Sequence, residues 1–308
     1  MTEKGGIHMH IITSITGRLV SIFGNMFFWL GVAGIIIALI ENARLRHYKK
    51  HETNKKRIAV ITGASSGLGR GYVLALAKQM AEFDIDEFWL IARNEDRLKA
   101  LADEAKVPCH ILPANLTAKE SFEKVTGGLK EACCEVSLLI NSAGMGLSRT
   151  SEEAGNDGEQ RMITLNESAT VAMIHACLPY MTAGSRIVNI SSVAGFQSMA
   201  GFNTYAATKA FVLNYSRALR QELLPKKITV TAVCPYWVRD TRFIETASGH
   251  KSSPFLSVRT ETVIRRSLRT IKRRGIVSTP SIVSFLDYIL SGLIPDNILS
   301  RIASLARV

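Results

Sequence analysis

Between Arg57 and Cys234 six short apolar runs alternate with five segments of helical spacing, and few folds tolerate that pattern. The runs Arg57–Thr62, Glu87–Ala92, Cys109–Leu112, Val136–Asn141, Arg186–Ser191 and Ile228–Cys234 read as strands. Between them, Leu68–Ala81, Asn94–Lys106, Thr117–Cys133, Gly158–Tyr180 and Thr204–Leu224 read as helices. In the first of these, Leu68, Tyr72, Leu76 and Met80 recur near one face. In the third, Gly127 and Gly128 weaken the pattern. Strands that are apolar along their whole length and alternate with helices predict a parallel sheet covered on both faces. The expected fold is therefore α/β, a doubly wound parallel sheet, over residues 57–308.

The end of the chain, from about 255, is basic and apolar. Arg259, Arg265, Arg266, Arg269, Lys272, Arg273 and Arg274 stand against Glu261, and Val263, Ile264, Leu268 and Ile271 form one apolar edge. Ile282–Leu293 and Ile298–Leu305 are apolar but too short to span a bilayer. Core packing, a substrate lid and an interfacial membrane helix are all open readings for this segment.

Composition points to a further apolar element. Of 308 residues 47% are hydrophobic, and the mean hydropathy is positive, which is high for a soluble enzyme. Leu19–Ile40 accounts for it, being uncharged and bounded by Arg18 and Glu41. At about 1.5 Å per residue it matches the roughly 30 Å hydrocarbon core of a bilayer. It exceeds the apolar region of a cleaved signal peptide and runs directly into E-N-A-R-L-R-H-Y-K-K. The expected order is a tail over 1–18, a transmembrane helix over 19–40, a basic linker over 41–56, then the α/β domain. Lys4 and Arg18 precede the helix; Arg44, Arg46, Lys49, Lys50, Lys55, Lys56 and Arg57 follow it. The positive-inside rule makes this a single-pass membrane protein whose catalytic domain faces the cytoplasm. The net charge of +12 clusters in this linker and in 259–274, where it suits anionic membrane lipid. No zinc-finger spacing or aromatic RNP pattern supports nucleic acid as a partner. Five cysteines in no metal-site spacing read as reduced thiols, and no metal is expected.

Chemistry enters at T-G-A-S-S-G-L-G, residues 62–69, which follows a strand and opens a helix. Glycines there allow a tight turn and close backbone approach to phosphate, and the helix N-terminus offers unpaired N–H groups. Further on, Tyr205 and Lys209 stand one helical turn apart on one face. A nearby ammonium favours phenolate over phenol, so this pair predicts a Tyr pKa lowered from about 10 toward neutrality. Such a phenol serves an alcohol–ketone pair as proton donor and acceptor.

These segments, in this order, resemble the short-chain dehydrogenase/reductase family, whose cofactor turn is T-G-x-x-x-G-x-G. The resemblance covers about residues 57–245. Asn141-Ser142-Ala143-Gly144 is similar to the family's N-N-A-G, with Ser for the second Asn. Asn166 in T-L-N-E-S, Ser192 in I-V-N-I-S-S, Tyr205 and Lys209 match the catalytic tetrad, with Ser191 facing the structure. Cys234-Pro235-Tyr236 stands where the family has P-G. The resemblance implies a Rossmann-like fold and a hydride exchanged between a nicotinamide and a carbonyl carbon. Tyr205 would protonate the oxygen, Ser192 would hydrogen-bond it, Lys209 would hold the ribose and lower the Tyr pKa, and Asn166 would support a proton relay. Ser192 and Tyr205 are thus the substrate-binding pair. Cofactor contacts would come from Gly63, Ser65, Ser66, Gly67, Leu68, Gly69, Arg93, Asn115, Leu116, Asn141, Ala143, Gly144, Tyr205, Lys209, Pro235 and Val238.

At the end of the second strand, Ala92 stands where NAD-binding members carry an acid, and Arg93 follows. A guanidinium there suits a 2′-phosphate, so the expected cofactor is NADP. Met145, Leu147, Phe196, Met199, Phe202, Phe243 and Ile244 are candidate pocket residues, and P-Y-W at 235–237 resembles membrane-bound relatives acting on steroid or fatty-acyl ketones. A hydrophobic small-molecule substrate is the expected partner: a steroid, a 3-oxoacyl thioester or a long-chain ketone. The family also suggests a homodimer through the helix after Gly158 and the helix bearing Tyr205. The rival reading is a non-catalytic nucleotide-binding or scaffold protein at the membrane, against which the intact Asn-Ser-Tyr-Lys set argues.

Overall fold

The computed structural model describes residues 26, 28, 29, 31–37, 39, 40, 43, 54–248 and 256–305, in two units divided between Lys49 and Lys50. In the second unit the strands are β1 (Arg57–Thr62), β2 (Glu87–Ala92), β3 (Cys109–Pro113), β4 (Glu135–Asn141), β5 (Arg186–Ile190), β6 (Thr229–Val233) and β7 (Val277–Ser278). They form one parallel sheet in the order β3-β2-β1-β4-β5-β6-β7. The Rossmann-like α/β architecture read from the alternation is present. β1, β4 and β6 are buried along their whole length, which is why their sequences show no polar alternation.

The helices are α1 (Gly67–Ala77), α2 (Met80–Phe83), α3 (Glu95–Ala105), α4 (Glu120–Glu131), α5 (Ser151–Ile163), α6 (Ala169–Cys177), α7 (Asn203–Leu223), α8 (Phe243–Ser248), α9 (Thr260–Lys272), α10 (Ile282–Leu290) and α11 (Asp296–Leu305). One face of the sheet packs Ala59, Ile61, Phe88 and Leu90 against Tyr72, Leu76, Leu98 and Leu268 of α1, α3 and α9. The other packs Ile58, Val60 and Ile91 against Val125, Met173 and Leu219 of α4, α6 and α7. Along β4 the alternation slips, with Val136 and Leu139 on one face and Leu138 and Ile140 on the other. A register shift opposite Ile58/Ala59 causes it, and Ser137 turns its hydroxyl to the Ile58 carbonyl at 3.1 Å. That bond satisfies the buried Ser137 hydroxyl at the bulge.

Several expectations need correction. The helix expected from Gly158 begins at Ser151, where Thr150 and Glu153 form a capping box. Gly155, at φ 64°, breaks its helical dihedrals, so the periodicity became legible only after it. Of the two α4 glycines, Gly128 lies against Trp89, where a Cβ would meet the indole at 3.2 Å, whereas Gly127 has nothing within 4 Å. β7 is too short to leave a pattern. The basic segment 259–274 is largely a core helix. Val263, Ile264, Leu268 and Ile271 of α9 are buried, and so is Arg274; Tyr72 Oη lies 2.6 Å from Ser267 Oγ across the α1–α9 contact.

In the first unit, Met26, Phe28, Trp29, 31–37, Leu39 and Ile40 have helical backbone. Phe28, Trp29, Ile35, Ile36, Ile37 and Leu39 are exposed. Among the described residues no helix is long and apolar enough to cross a membrane. The rest of the 19–40 run, the tail 1–18 and most of the linker 41–56 lie outside the described residues.

Candidate active site

The strand order reverses between β1 and β4, and a crevice opens at their carboxyl ends, where open α/β sheets bind ligands. Two loops meet there. Gly63, at φ 65°, brings the turn after β1 onto the segment after β4, so that a Cβ would lie 2.8 Å from the Ala143 nitrogen. Thr62 Oγ1 ties the same loops by accepting from the amides of Ser142 at 3.0 Å and Ala143 at 3.1 Å. A Cβ on Gly69 would overlap the Gly63 carbonyl. At the mouth of α1 the N-cap Ser66 makes no side-chain cap, and no acid occupies the first turn. Uncapped amides at a helix N-terminus, approached closely only because glycines line the way, fit a dinucleotide pyrophosphate.

From this cradle a cleft of about 1310 Å³ runs across the sheet end. Gly63, Ser65, Ser66, Gly67 and Leu68 line its start, with Arg93, Asn115 and Leu116 beside them. Ala143, Gly144, Pro235 and Val238 line its middle, and Ser192, Tyr205 and Lys209 stand together on its wall. Arg97, one turn into α3, also reaches the cleft beside Arg93; the sequence reading missed it because i+4 proximity across a strand–helix turn carries no motif. Asn115 is held by its own turn, its Oδ1 accepting from Thr117 Oγ1 at 3.0 Å.

Three of the expected residues are not on the wall. Gly69 lies beneath it. Asn141 donates Nδ2 to Asn189 Oδ1 at 2.9 Å, and Asn189 donates on to Ser216, a buried tie between β4, β5 and α7. Asn166 is buried within a π-turn, Thr164–Ser168, that links α5 to α6. Its Oδ1 accepts from the Met145 amide, and its Nδ2 donates to the Met145 carbonyl, both at 2.9 Å, and to Thr208 Oγ1 at 3.0 Å. The side chain thereby fixes the loop after Gly144 to α7.

Ser191 and Ser192 both line the cleft, but their hydroxyls are held differently. Ser191 is buried and donates to the Lys209 carbonyl at 2.7 Å, while Ser192 opens the turn Val193–Gly195 with its hydroxyl on the cleft wall. Lys209 Nζ donates to the Ile190 carbonyl at 2.9 Å and lies 5.5 Å from the Tyr205 ring centroid. The expected lowering of the Tyr205 pKa is overturned. Burial raises the phenol above its ordinary value, with the Ser192 hydroxyl opposing, and burial pushes Lys209 down to about 8. Desolvation disfavours the charged form of each group, and that penalty outweighs their proximity.

Beyond Tyr205 the wall is aromatic. Phe202 stacks on Tyr205 at 4.3 Å and on Trp237 at 5.9 Å, and Phe243 approaches Tyr205 at 5.4 Å. Met145 and Met199 also line the cleft, but Leu147, Phe196 and Ile244 do not. Phe196 packs instead on Tyr288 at 5.2 Å, and Ile244 is buried. Val283, Asp287, Leu290, Ile294 and Leu299 complete this end. The C-terminal segment after α9 is therefore part of the cleft wall.

The model of the short chain dehydrogenase family matches residues 57–251. An uncharacterized oxidoreductase of Staphylococcus epidermidis is 31% identical over 193 residues, 62% of this chain and 81% of that protein. A short-chain dehydrogenase from Sphingobium yanoikuyae in complex with NADPH superposes with a TM-score of 0.65 at 32% identity, covering 77% of this chain and 94% of that one. The bulky-bulky ketone specific alcohol dehydrogenase from Comamonas testosteroni gives 0.62 at 29% identity, covering 78% and 94%. With its seven-stranded parallel sheet and glycine cradle, this chain belongs to the short chain dehydrogenase family of nicotinamide-dependent oxidoreductases.

Proposed function

We propose that this oxidoreductase is NADP(H)-dependent and interconverts a ketone and a secondary alcohol on a bulky hydrophobic molecule of the steroid, 3-oxoacyl or long-chain ketone class. The observation that carries this reading is the continuity of one cleft, from a glycine cradle flanked by Arg93 and Arg97 to Ser192, Tyr205 and an aromatic wall. The similarity to a dehydrogenase bound to NADPH and to a bulky-ketone enzyme supports it.

The glycine turn Gly63–Leu68 with Arg93 and Arg97 would hold a nicotinamide dinucleotide, which would supply or take the hydride. Ser192 and Tyr205 hold the substrate oxygen, and Tyr205 delivers its proton. A phenol kept protonated by burial suits the acid role in reduction. Lys209, with a pKa near 8, exchanges protons close to ambient pH and replenishes that hydroxyl. Asn166 positions the Met145 loop and α7. Phe202, Trp237 and Phe243 exclude water and take up the apolar body of the substrate.

A panel of bulky apolar ketones, read as cofactor oxidation, tests the reading. NADPH is consumed with at least one of them, and NADH with a much higher KM. Arg93→Ala with Arg97→Ala raises the KM for NADPH tenfold or more, because a 2′-phosphate loses its charged donors, and leaves that for NADH within about twofold. Equal losses for both cofactors sink the NADP assignment. Cofactor binding without turnover of any ketone favours the scaffold reading.

The same proposal places the enzyme at a membrane, its catalytic part on the cytoplasmic side and its N-terminal apolar run as a single-pass anchor. The exposed aromatic and aliphatic side chains between Phe28 and Ile40 support that, as do Ile282, Phe285, Leu286 and Leu293 on the outer face of α10 and just beyond it. Full-length protein is expected to stay with membranes through a carbonate wash, and deletion of residues 1–50 to release most of it. Retention of the truncated protein through carbonate would make the C-terminal face an integral anchor. Protection of the catalytic part from cytosolic protease would reverse the orientation. Pairing of two copies through α5 and α7 belongs to the same reading, with exposed Phe211 stacked on Tyr215 at 5.6 Å as its contact.

A further inference from the structure

The substrate end of the cleft is largely aromatic and aliphatic, although Arg161, Gln197, Tyr236 and Arg242 also line the cleft, and among the described lining residues Asp287 is the one carboxylate. Asp287 sits on α10 in line with Val283 and Leu290, one turn before and after it, and all three line the cleft. The opposite face of the helix carries the exposed Ile282, Phe285 and Leu286. α10 packs on the turn Val193–Gly195 that directly follows Ser192, so Asp287 shares one wall with the candidate catalytic hydroxyls. Gln197, from the same stretch, lines the cleft and favours the charged form of its carboxyl, and Tyr236, next to Pro235, lines the cleft close enough to feel its charge.

Among the described residues Asp287 makes no ion pair. A half-buried carboxylate without a counter-ion is destabilising where an aliphatic side chain would pack. Burial raises its pKa to about 6, which still leaves it mostly ionised at neutral pH. An ionised carboxylate only accepts hydrogen bonds. Ser192 and Tyr205 serve the carbonyl, and the aromatic wall offers no further acceptor of that strength.

We infer that Asp287, with Gln197 beside it in the cleft, binds a hydrogen-bond donor at the end of the substrate remote from its carbonyl, so that the preferred substrate is an amphiphilic ketone carrying a distal hydroxyl or amine. This rests on the ketone-reductase reading above and narrows its substrate class.

The test uses long 2-alkanones in plain, ω-hydroxy and ω-amino forms across a series of chain lengths, with full-length enzyme and NADPH. At a matching length, kcat/KM for a donor-bearing form exceeds that for the plain ketone by about tenfold, as a hydrogen bond to a charged group supplies. The ω-hydroxy and ω-amino arms identify which donor it is. The preference shrinks in Asp287→Asn and falls to about one in Asp287→Leu, with a partial loss in Gln197→Leu. NADPH titration of each variant establishes that the fold persists. A wild-type preference of one at every length, or a preference that survives Asp287→Leu, overturns the inference. If no ketone is reduced in any form, the reductase reading fails. Quenching of Trp237 fluorescence by the three alkanones then decides the donor site by itself: tighter binding of a donor-bearing form, lost in Asp287→Leu, upholds it, and equal binding refutes it.

Discussion

Tyr205→Phe is expected to lower turnover by at least a thousandfold while NADPH affinity stays within about threefold. The ring contacts with Phe202 and Phe243 do not involve the hydroxyl, so the variant keeps the wall of the cleft and loses only the proton. Stopped-flow cofactor oxidation and a fluorescence titration of NADPH measure the two quantities separately. Full activity in this variant would remove Tyr205 from the mechanism. The neighbouring serines sharpen the test. Ser192→Ala, which strips a hydroxyl from the cleft wall, is expected to cost at least a hundredfold in rate. Ser191→Ala leaves the Lys209 carbonyl without its 2.7 Å donor and is expected to cost about 1 kcal/mol of stability with little loss of rate. The reverse ordering would exchange their roles.

The second large effect lies in the cradle. Gly69→Ala is expected to weaken NADPH binding by a hundredfold or more and to lower the Tm by several degrees. A Cβ there meets the Gly63 carbonyl and the Ala64 nitrogen. Both are backbone atoms of the turn that faces the pyrophosphate position, and neither can yield without moving the other loop. Gly127→Ala is the contrasting substitution. It lies in α4 with nothing within 4 Å of the added carbon, and it is expected to stabilise the protein by up to about 1 kcal/mol. Thermal melts and cofactor titrations on the pair separate clash from propensity. Wild-type NADPH affinity in Gly69→Ala would show that the cradle does not depend on this close approach.

What the sequence alone determined was local or periodic. β1 and β2 occupy the ranges their apolar runs marked, because strands buried on both faces announce themselves without any partner. The glycine turn was legible for the same kind of reason: its chemistry sits in eight consecutive residues. Helical spacing put Tyr205 and Lys209 on one face.

Only the tertiary structure decided the rest. The slip at Ser137 exists because β4 must register against Ile58, and no property of β4 by itself encodes that. Arg97 joins Arg93 only through the turn from β2 into α3, and α10 closes the cleft with Asp287 through contacts between segments far apart in the chain. The protonation of the candidate catalytic pair went against the sequence argument for one physical reason. Spacing reports how near an ammonium can come to a phenol, whereas the pKa of each depends on how much water the surrounding chain removes, and that burial is assembled from β5, β6 and the Phe202–Phe243 wall only on folding.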